Sequence, residues 1–311
     1  MEKNAKIYVA GHRGMVGSAI VRELNKQGYN NIIVKTHKEL DLTRQNEVET
    51  FFAEEKPEYV FLAAAKVGSI LENTEKPADF IYENIMIEIN VINAAFKNDC
   101  EKIAFIGSAC VYPYSTLMPI KESALLTGTL EKQNEAYALA KILGLKYCEY
   151  LNRQYHKTYI SIMPNNLYGL NDNYHEMSAH VIPALIRRFH EAKIEKKPFV
   201  TCWGDGSPLR EFLYVDDFAE LCIFLMNNYN SSEIINAGTG SEISIKELSE
   251  LIARIIGYEG KIIWDTSKPN GTLRRLVDIS KITELGWKFK IKLEDGIRLT
   301  YKSFLNTHFA V

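Results

Sequence analysis

Through the first half of the chain, short and nearly continuous apolar runs alternate with longer segments in which apolar residues return every three or four positions. The first pattern belongs to strands buried on both faces and the second to amphipathic helices. The spacing predicts strands over 6–10, 31–34, 59–64, 102–106 and 158–163, and helices over 15–27, 45–55, 80–97 and 135–154. Gly28 closes the first of these helices and Pro57 stops the second. Strands and helices in alternation predict an α/β fold of the Rossmann type, a doubly wound parallel sheet with helices on both faces. After Pro164 the rhythm degrades into irregular stretches rich in Pro, Gly and Trp, which predicts a smaller, mixed α/β C-terminal domain. An Asp216-Asp217 cap before an apolar helix returns the chain to the first domain over 212–226. The expected division is therefore 1–165 plus about 210–237 in one domain, and about 166–209 with 238–311 in the other. From Glu242 onward, short helices and strands are expected around Trp264 and Trp287.

Composition narrows the classes of partner. A net charge of −2 over 311 residues argues against a broad nucleic-acid or anionic-membrane surface. No apolar run reaches the ~18 residues of a membrane span, and the start of the chain lacks a signal-peptide profile. Five cysteines are scattered without any Cys-x-x-Cys, so neither a disulfide framework nor a metal site is expected and a cytoplasmic setting is.

Candidate chemistry gathers at the ends of the predicted strands. Gly11-x-x-Gly14-x-x-Gly17 follows the first strand and opens the first helix, where backbone N–H groups can approach a dinucleotide pyrophosphate. At the end of the second strand, Val34-Lys35-Thr36-His37-Lys38 carries no acid until Glu39, so a ribose 2′-hydroxyl lacks its usual carboxylate partner. Lys35, His37 or Lys38 with Arg13 can instead neutralise a 2′-phosphate, which favours NADP. Tyr137 and Lys141 lie one turn apart on a helix face. An ammonium beside a phenol lowers the phenol's pKa towards neutrality and makes a general acid for a carbonyl oxygen. Ser108 and Cys110 stand two apart at a strand end, and an extended backbone there points both into one cleft. His180 is expected near a helix start, whose dipole disfavours its protonation. Trp203, Arg210, Arg187 and Arg188 offer an indole to stack on a base and guanidinium groups to pair with phosphate.

Ala10-Gly11-His12-Arg13-Gly14-Met15-Val16-Gly17, Leu62-Ala63-Ala64-Ala65-Lys66-Val67-Gly68 and Gly107-Ser108-Ala109-Cys110-Val111-Tyr112-Pro113 resemble the GDP-L-fucose synthase family of extended short-chain reductases. So do Met163-Pro164-Asn165-Asn166-Leu167-Tyr168-Gly169, His180-Val181-Ile182-Pro183 and Leu209-Arg210-Glu211-Phe212. The resemblance runs from about residue 5 to about residue 305. It implies 3,5-epimerisation and 4-reduction of GDP-4-keto-6-deoxy-mannose with NADPH, in a homodimer. It implies Ser108, Tyr137 and Lys141 as the reductase triad, and Cys110 and His180 as base and acid in epimerisation. Cofactor contacts are implied at Gly11 to Gly17 (with His12, Arg13, Gly14, Met15 and Val16), Lys35, Asp41, Leu42, Ala63, Ala64, Ala65, Lys141, Pro164, Asn165, Asn166, Leu167 and His180. Substrate contacts are implied at Arg188, Trp203, Arg210 and Asn270. The chain departs from the family in having Ala109 where a second serine is usual and Asn270 where aspartate is common. A sister reductase acting on another GDP-deoxy-ketosugar, such as one making GDP-colitose, and a nucleotide-sugar 4-epimerase share most of these parts.

Overall fold

A computed structural model describes residues 1–176, 178–268 and 270–308. Its centre is a six-stranded sheet in the order β10-β5-β4-β3-β1-β2, formed by β1 (Ile7–Ala10), β2 (Ile32–Ile33), β3 (Tyr59–Leu62), β4 (Lys102–Ile106), β5 (Ile160–Pro164) and β10 (Ile235–Ala237). Every neighbouring pair is parallel. The strands are mainly apolar because both faces are covered, with Lys102, Ser161 and Asn236 as buried polar exceptions. On one face, α2 (Gln45–Glu55), α4 (Pro77–Lys97) and α5 (Glu135–Tyr155) bury Phe52, Val91 and Leu145 against Tyr8, Val60 and Phe105. On the other, α1 (Met15–Lys26) and α7 (Val215–Asn228) bury Ile20, Phe218 and Leu221 against Ile7, Phe61 and Ala104. A short α3 (Ile70–Glu75) precedes α4.

Strand order reverses between β1 and β3, since β2 lies on one side of β1 and β3 on the other. In an open α/β sheet, the crevice beyond the strand ends at such a point is where ligands sit. The predicted glycine turn follows β1 and the predicted Ala63–Ala65 segment follows β3, so both border it.

Beyond β5 the chain builds a third core from α6 (Val181–Ile194), α8 (Ile245–Ile256) and α10 (Leu293–His308), centred on Ile186, Phe189, Leu248, Ile252 and Ile297. Small sheets flank it: β6 (Asn166–Tyr168) pairs with β9 (Phe212–Tyr214), and β7 (Phe199–Trp203) with β12 (Lys261–Asp265). β8 (Leu209–Arg210) lies between β11 (Ile243–Ser244) and β13 (Arg274–Arg275). A five-residue α9 (Ser280–Glu284) completes the elements.

Three expectations change. Asp216 and Asp217 do not cap α7: the helix starts at Val215 and both acids fall in its first turn. Asp216 pairs with Arg22 of α1, and Asp217 accepts from the backbone N–H groups of Lys290 and Ile291 at 3.0 and 2.8 Å. The C-terminal part is not made only of short elements, because α10 runs for sixteen residues. Trp287 packs in the core beside α7, away from the Trp264 core. Among the described residues, no helix is long and apolar enough to cross a membrane.

Candidate active site

The glycine turn shows three separate reasons for lacking a side chain. Gly11 has φ of +83°, and a Cβ there would lie 2.7 Å from the Ala64 nitrogen, so the β1 turn rests directly on the β3 turn. A Cβ on Gly17 would lie 2.2 Å from the Gly11 carbonyl oxygen, so α1 rests on the same turn. Gly14 is different. Its φ is −76°, and a Cβ there would have its nearest protein atom at an ordinary 3.5 Å. Neither conformation nor internal packing demands a glycine there, which leaves approach by an external group as the reason for its bareness. Gly14 is also the N-cap of α1 and offers no side chain to the first N–H groups, and the first turn carries no acid. An uncapped helix start with open space beside it fits a pyrophosphate. Gly14→Ala is therefore expected to weaken NADPH binding by roughly tenfold, about 1.4 kcal/mol, with little loss of thermal stability. Gly11→Ala should destabilise the fold itself; thermal melts and cofactor titration of the two variants separate the roles.

The turn after β2 has the basic character expected of it. Arg13, Lys35 and Lys38 have no carboxylate within ion-pairing distance among the described residues, and Lys35 lies over the Phe51 ring at 5.9 Å. Its acids are occupied: Glu39 accepts from the backbone and hydroxyl of Thr36, and Asp41 from the backbone and hydroxyl of Thr43. The Leu42 carbonyl accepts from Asn90 of α4. These residues fit a phosphorylated ribose better than a free one.

At the end of β4, Ser108 is still extended, but Ala109–Val111 form a turn of 3-10 helix. The extended backbone expected through Cys110 is not found. The two side chains are neighbours for another reason: the Cys110 N–H donates to Ser108 Oγ at 3.2 Å, across the turn. The hydroxyl thus accepts from the Cys110 backbone and also lies within hydrogen-bonding reach of the Cys110 thiol. Tyr137 and Lys141 project from α5 towards the same place, with the Lys141 Nζ 5.7 Å from the Tyr137 ring centroid.

Electrostatics in the cleft depart from the sequence-based picture. The Tyr137 phenol is not drawn towards neutrality; burial raises its pKa well above the ordinary value, and Cys110 and Glu88 raise it further. Lys141 does not supply a bare positive charge, because its ammonium lies 3.1 Å from the Glu88 carboxylate and donates to the Ile106 carbonyl at 2.9 Å. Burial pushes the Cys110 thiol up to about 11, and the opposing effects of Ser108, Arg275 and Lys141 do not cancel it. His180, the N-cap of α6, keeps an exposed edge, and partial loss of hydration by neighbouring protein lowers its pKa. The thiol therefore rests protonated, and the lowered His180 pKa favours the neutral imidazole. No hydrogen bond or ion pair ties the His180 side chain to Cys110 or Tyr137 among the described residues.

Glu211, a residue sequence reasoning passed over, organises the floor. Fully buried, it accepts from Asn165 Nδ2 and from the backbone N–H groups of Thr239 and Gly240, each at 2.6 Å, and from Val277 at 3.2 Å. Asn165 also donates to the Arg275 carbonyl, and Asn166 to the Glu211 carbonyl, so both amides expected at the cofactor serve the framework. Leu167 follows in β6, paired with Leu213, and Pro164 ends β5 opposite Ala237. Arg275, also missed, donates to the Pro113 carbonyl and lies 3.7 Å from Glu131, next to Arg210 across the β8–β13 pair. The adjacent Arg210-Glu211 pair set between Leu209 and the apolar run Phe212-Leu213-Tyr214 is the one local signal that marks Glu211.

The expected substrate residues divide into two groups. Arg210 is partly buried beside Arg275 and Glu131. Trp203 is 64 % exposed, and Arg188 is exposed at the edge of the same sheet, donating to the Thr201 carbonyl. Asn270 accepts from the Asp205 backbone at 2.9 Å through its neutral amide oxygen, a weaker acceptor than a carboxylate in the same place.

Residues 7–238 match the NAD dependent epimerase/dehydratase family. GDP-L-fucose synthase 1 of Arabidopsis thaliana is 55% identical over 304 residues, covering 98% of this chain and 94% of that protein. The chain belongs to the GDP-L-fucose synthase family. The GDP-L-fucose synthase of Escherichia coli is 50% identical over 309 residues, covering 96% of each chain. A GDP-mannoheptose C4 reductase from Campylobacter jejuni, solved with NADP bound, superposes with a TM-score of 0.91 at 42% identity, covering 98% of this chain and 99% of that one. GDP-L-fucose synthase family membership accounts for a dinucleotide crevice and a Ser-Tyr-Lys cluster in one cleft.

Proposed function

We propose that this protein is a GDP-L-fucose synthase that converts GDP-4-keto-6-deoxy-mannose to GDP-L-fucose by epimerisation at C3 and C5 and reduction at C4. The observation that carries the reading is Cys110 beside Ser108 and Tyr137, since a plain 4-reductase has no use for a thiol within reach of the carbonyl. NADPH, when bound, supplies the hydride that reduces C4. Gly14 and the start of α1 would receive its pyrophosphate, Arg13 and Lys35 its 2′-phosphate, and Ala63–Ala65, Asn165, Asn166 and Leu167 its remaining length.

The sugar protons at C3 and C5 are both α to the ketone, so removal of either places negative charge on the C4 oxygen. Ser108 and Tyr137 hold hydroxyl protons for that oxygen, and donors placed where charge develops stabilise the transition state. Cys110 and His180 exchange protons with C3 and C5 from the two sides. Because the thiol starts protonated and the imidazole neutral, one proton must pass between them, directly or through substrate, before Cys110 acts as a base. Tyr137 then donates its proton to the C4 oxygen as C4 is reduced. Arg188, Trp203, Arg210 and Asn270 are assigned to the GDP moiety, with Arg210 and its neighbour Arg275 meeting diphosphate charge. We assign 1–165 with about 210–237 to cofactor binding and the rest to substrate.

Leu139, Leu143 and Tyr150 share an exposed face of α5 beside exposed Tyr82 of α4, which supports a homodimer through these helices; sedimentation at a one-chain mass would contradict it. A cytoplasmic setting follows from the same biosynthetic role, and fractionation checks it. The deciding assay mixes the protein with GDP-4-keto-6-deoxy-mannose and NADPH, follows cofactor absorbance and identifies the sugar by NMR. GDP-L-fucose supports the reading. Reduction without inversion points to a sister 4-reductase, and no turnover overturns the substrate assignment.

A further inference from the structure

Lys141 and Glu88 form a charge pair at the back of the cleft, with 2% and 0% of their side chains exposed. Glu88 comes from the middle of α4, and nothing in the proposed chemistry uses it. Among the described residues, its carboxylate has no hydrogen-bond donor other than the Lys141 ammonium beside it. Room for it is built in. Gly144 follows Lys141 by one turn of α5, and a Cβ there would lie 2.5 Å from Glu88 Oε2 and 2.6 Å from the Phe105 ring. The groups facing Glu88 are few: Lys141, Cys148 and, beyond them, Tyr137 from α5, with the Phe105 ring and the Ile106 carbonyl from β4. Lys141 is the one cation among them.

A buried acid that merely filled space would be replaced by an apolar residue at lower cost, because burying a carboxylate is expensive. Here the acid lies on the one lysine that controls the reacting tyrosine. An uncompensated ammonium beside Tyr137 would favour the phenolate, which suits a catalyst that removes a proton from an alcohol. Reduction of a ketone needs the reverse, a phenol that still holds its proton. We propose that Glu88 is a positioning residue: its carboxylate holds the Lys141 ammonium in place and balances its charge, so that Tyr137 remains a loaded proton donor across the working pH range. The inference rests on the reductase reading of the site. Burial pushes the Glu88 carboxyl up to about 7 against the pull of Lys141, so its balancing charge is fully present only above that value, where the high-pH limb lies.

The sign follows directly. Reduction proceeds while the Lys141–Tyr137 couple holds both protons, and is lost as pH rises through the value at which the couple gives one up. Removing a neighbouring negative charge makes that loss easier, whichever member releases the proton. In Glu88→Gln, the high-pH limb of kcat for NADPH-dependent reduction of GDP-4-keto-6-deoxy-mannose should move down by about one pH unit or more, a tenfold effect on the relative rate at high pH. KM and NADPH affinity should change little, and Glu88→Asp should restore the limb. A uniform fall in kcat with the limb unmoved would overturn the inference, as would a variant indistinguishable from wild type. A second measurement needs no substitution at Glu88: the ring Cζ carbon of Tyr137, labelled with 13C and assigned through Tyr137→Phe, is titrated in the wild-type protein. No phenolate below about pH 10 is expected; ionisation near neutrality would overturn the inference even if Glu88→Gln failed to fold. A wild-type protein that binds NADPH but does not reduce this ketosugar would sink the proposed activity, while a phenol titration that is the same in wild type and Glu88→Gln would overturn the role of Glu88 independently.

Discussion

Replacing Tyr137 by phenylalanine is expected to lower the rate of NADPH oxidation in the presence of ketosugar by about 10²–10⁴, the usual worth of a positioned general acid. That range corresponds to about 3–5 kcal/mol of transition-state stabilisation. The hydroxyl is the only atom removed, and the ring stays where Lys141 and the end of β4 place it. NADPH binding should therefore persist, since the glycine turn, Arg13 and Lys35 are untouched. The activity left over should come from Ser108, whose hydroxyl can turn to donate to the C4 oxygen while Oγ still accepts from the Cys110 N–H. Stopped-flow absorbance at the cofactor band gives the rate and fluorescence titration gives the affinity. Near-normal oxidation would remove Tyr137 from the chemistry.

Cys110→Ser should have its effect on a different step. Exchange of the C3 and C5 protons with solvent is expected to slow by about 10² or more, while the affinity for NADPH is unchanged. A thiol at about 11 is already a reluctant base, and a hydroxyl in the same buried place is far more reluctant. The measurement is deuterium uptake into the ketosugar in heavy water, followed by NMR without NADPH so that reduction does not intervene. Undiminished uptake at both carbons would show that another group moves those protons. Because epimerisation must precede reduction to give the fuco configuration, Cys110→Ser should also leave any reduced product with its original stereochemistry.

The periodic parts of the chain are legible in its residues alone. The helix predicted over 45–55 and the strand predicted over 102–106 are found at those residues, because a single repeat governs each and Pro57 or Gly107 marks its end. The strand at 31–34 contracts to Ile32–Ile33, since an edge strand has one partner and only two of its residues pair with β1. β10 lies outside the strands the pattern predicts, because three residues with a buried asparagine in the middle carry no period. α10 stands where only short elements were expected, and it runs straight through Gly296; a Cβ there would meet the Tyr168 hydroxyl at 2.1 Å. The role of that glycine is contact between elements distant in sequence, and a local pattern has no signal for that.

The same division runs through the site. The sequence by itself determined the order of parts: a glycine turn after the first strand, a basic turn after the second, Ser-x-Cys after the fourth, and Tyr-x-x-x-Lys on the helix beyond. Each is a matter of residue type and short spacing, which the backbone converts into position whatever surrounds it. Only the tertiary structure decided which protons these groups hold. Glu88 reaches Lys141 from another helix, and Glu211 gathers Asn165, Thr239, Gly240 and Val277 from three separate stretches of chain. Burial raises Tyr137 and Cys110 and lowers His180. Protonation depends on hydration and on charges a few ångströms away, and packing rather than sequence proximity sets both.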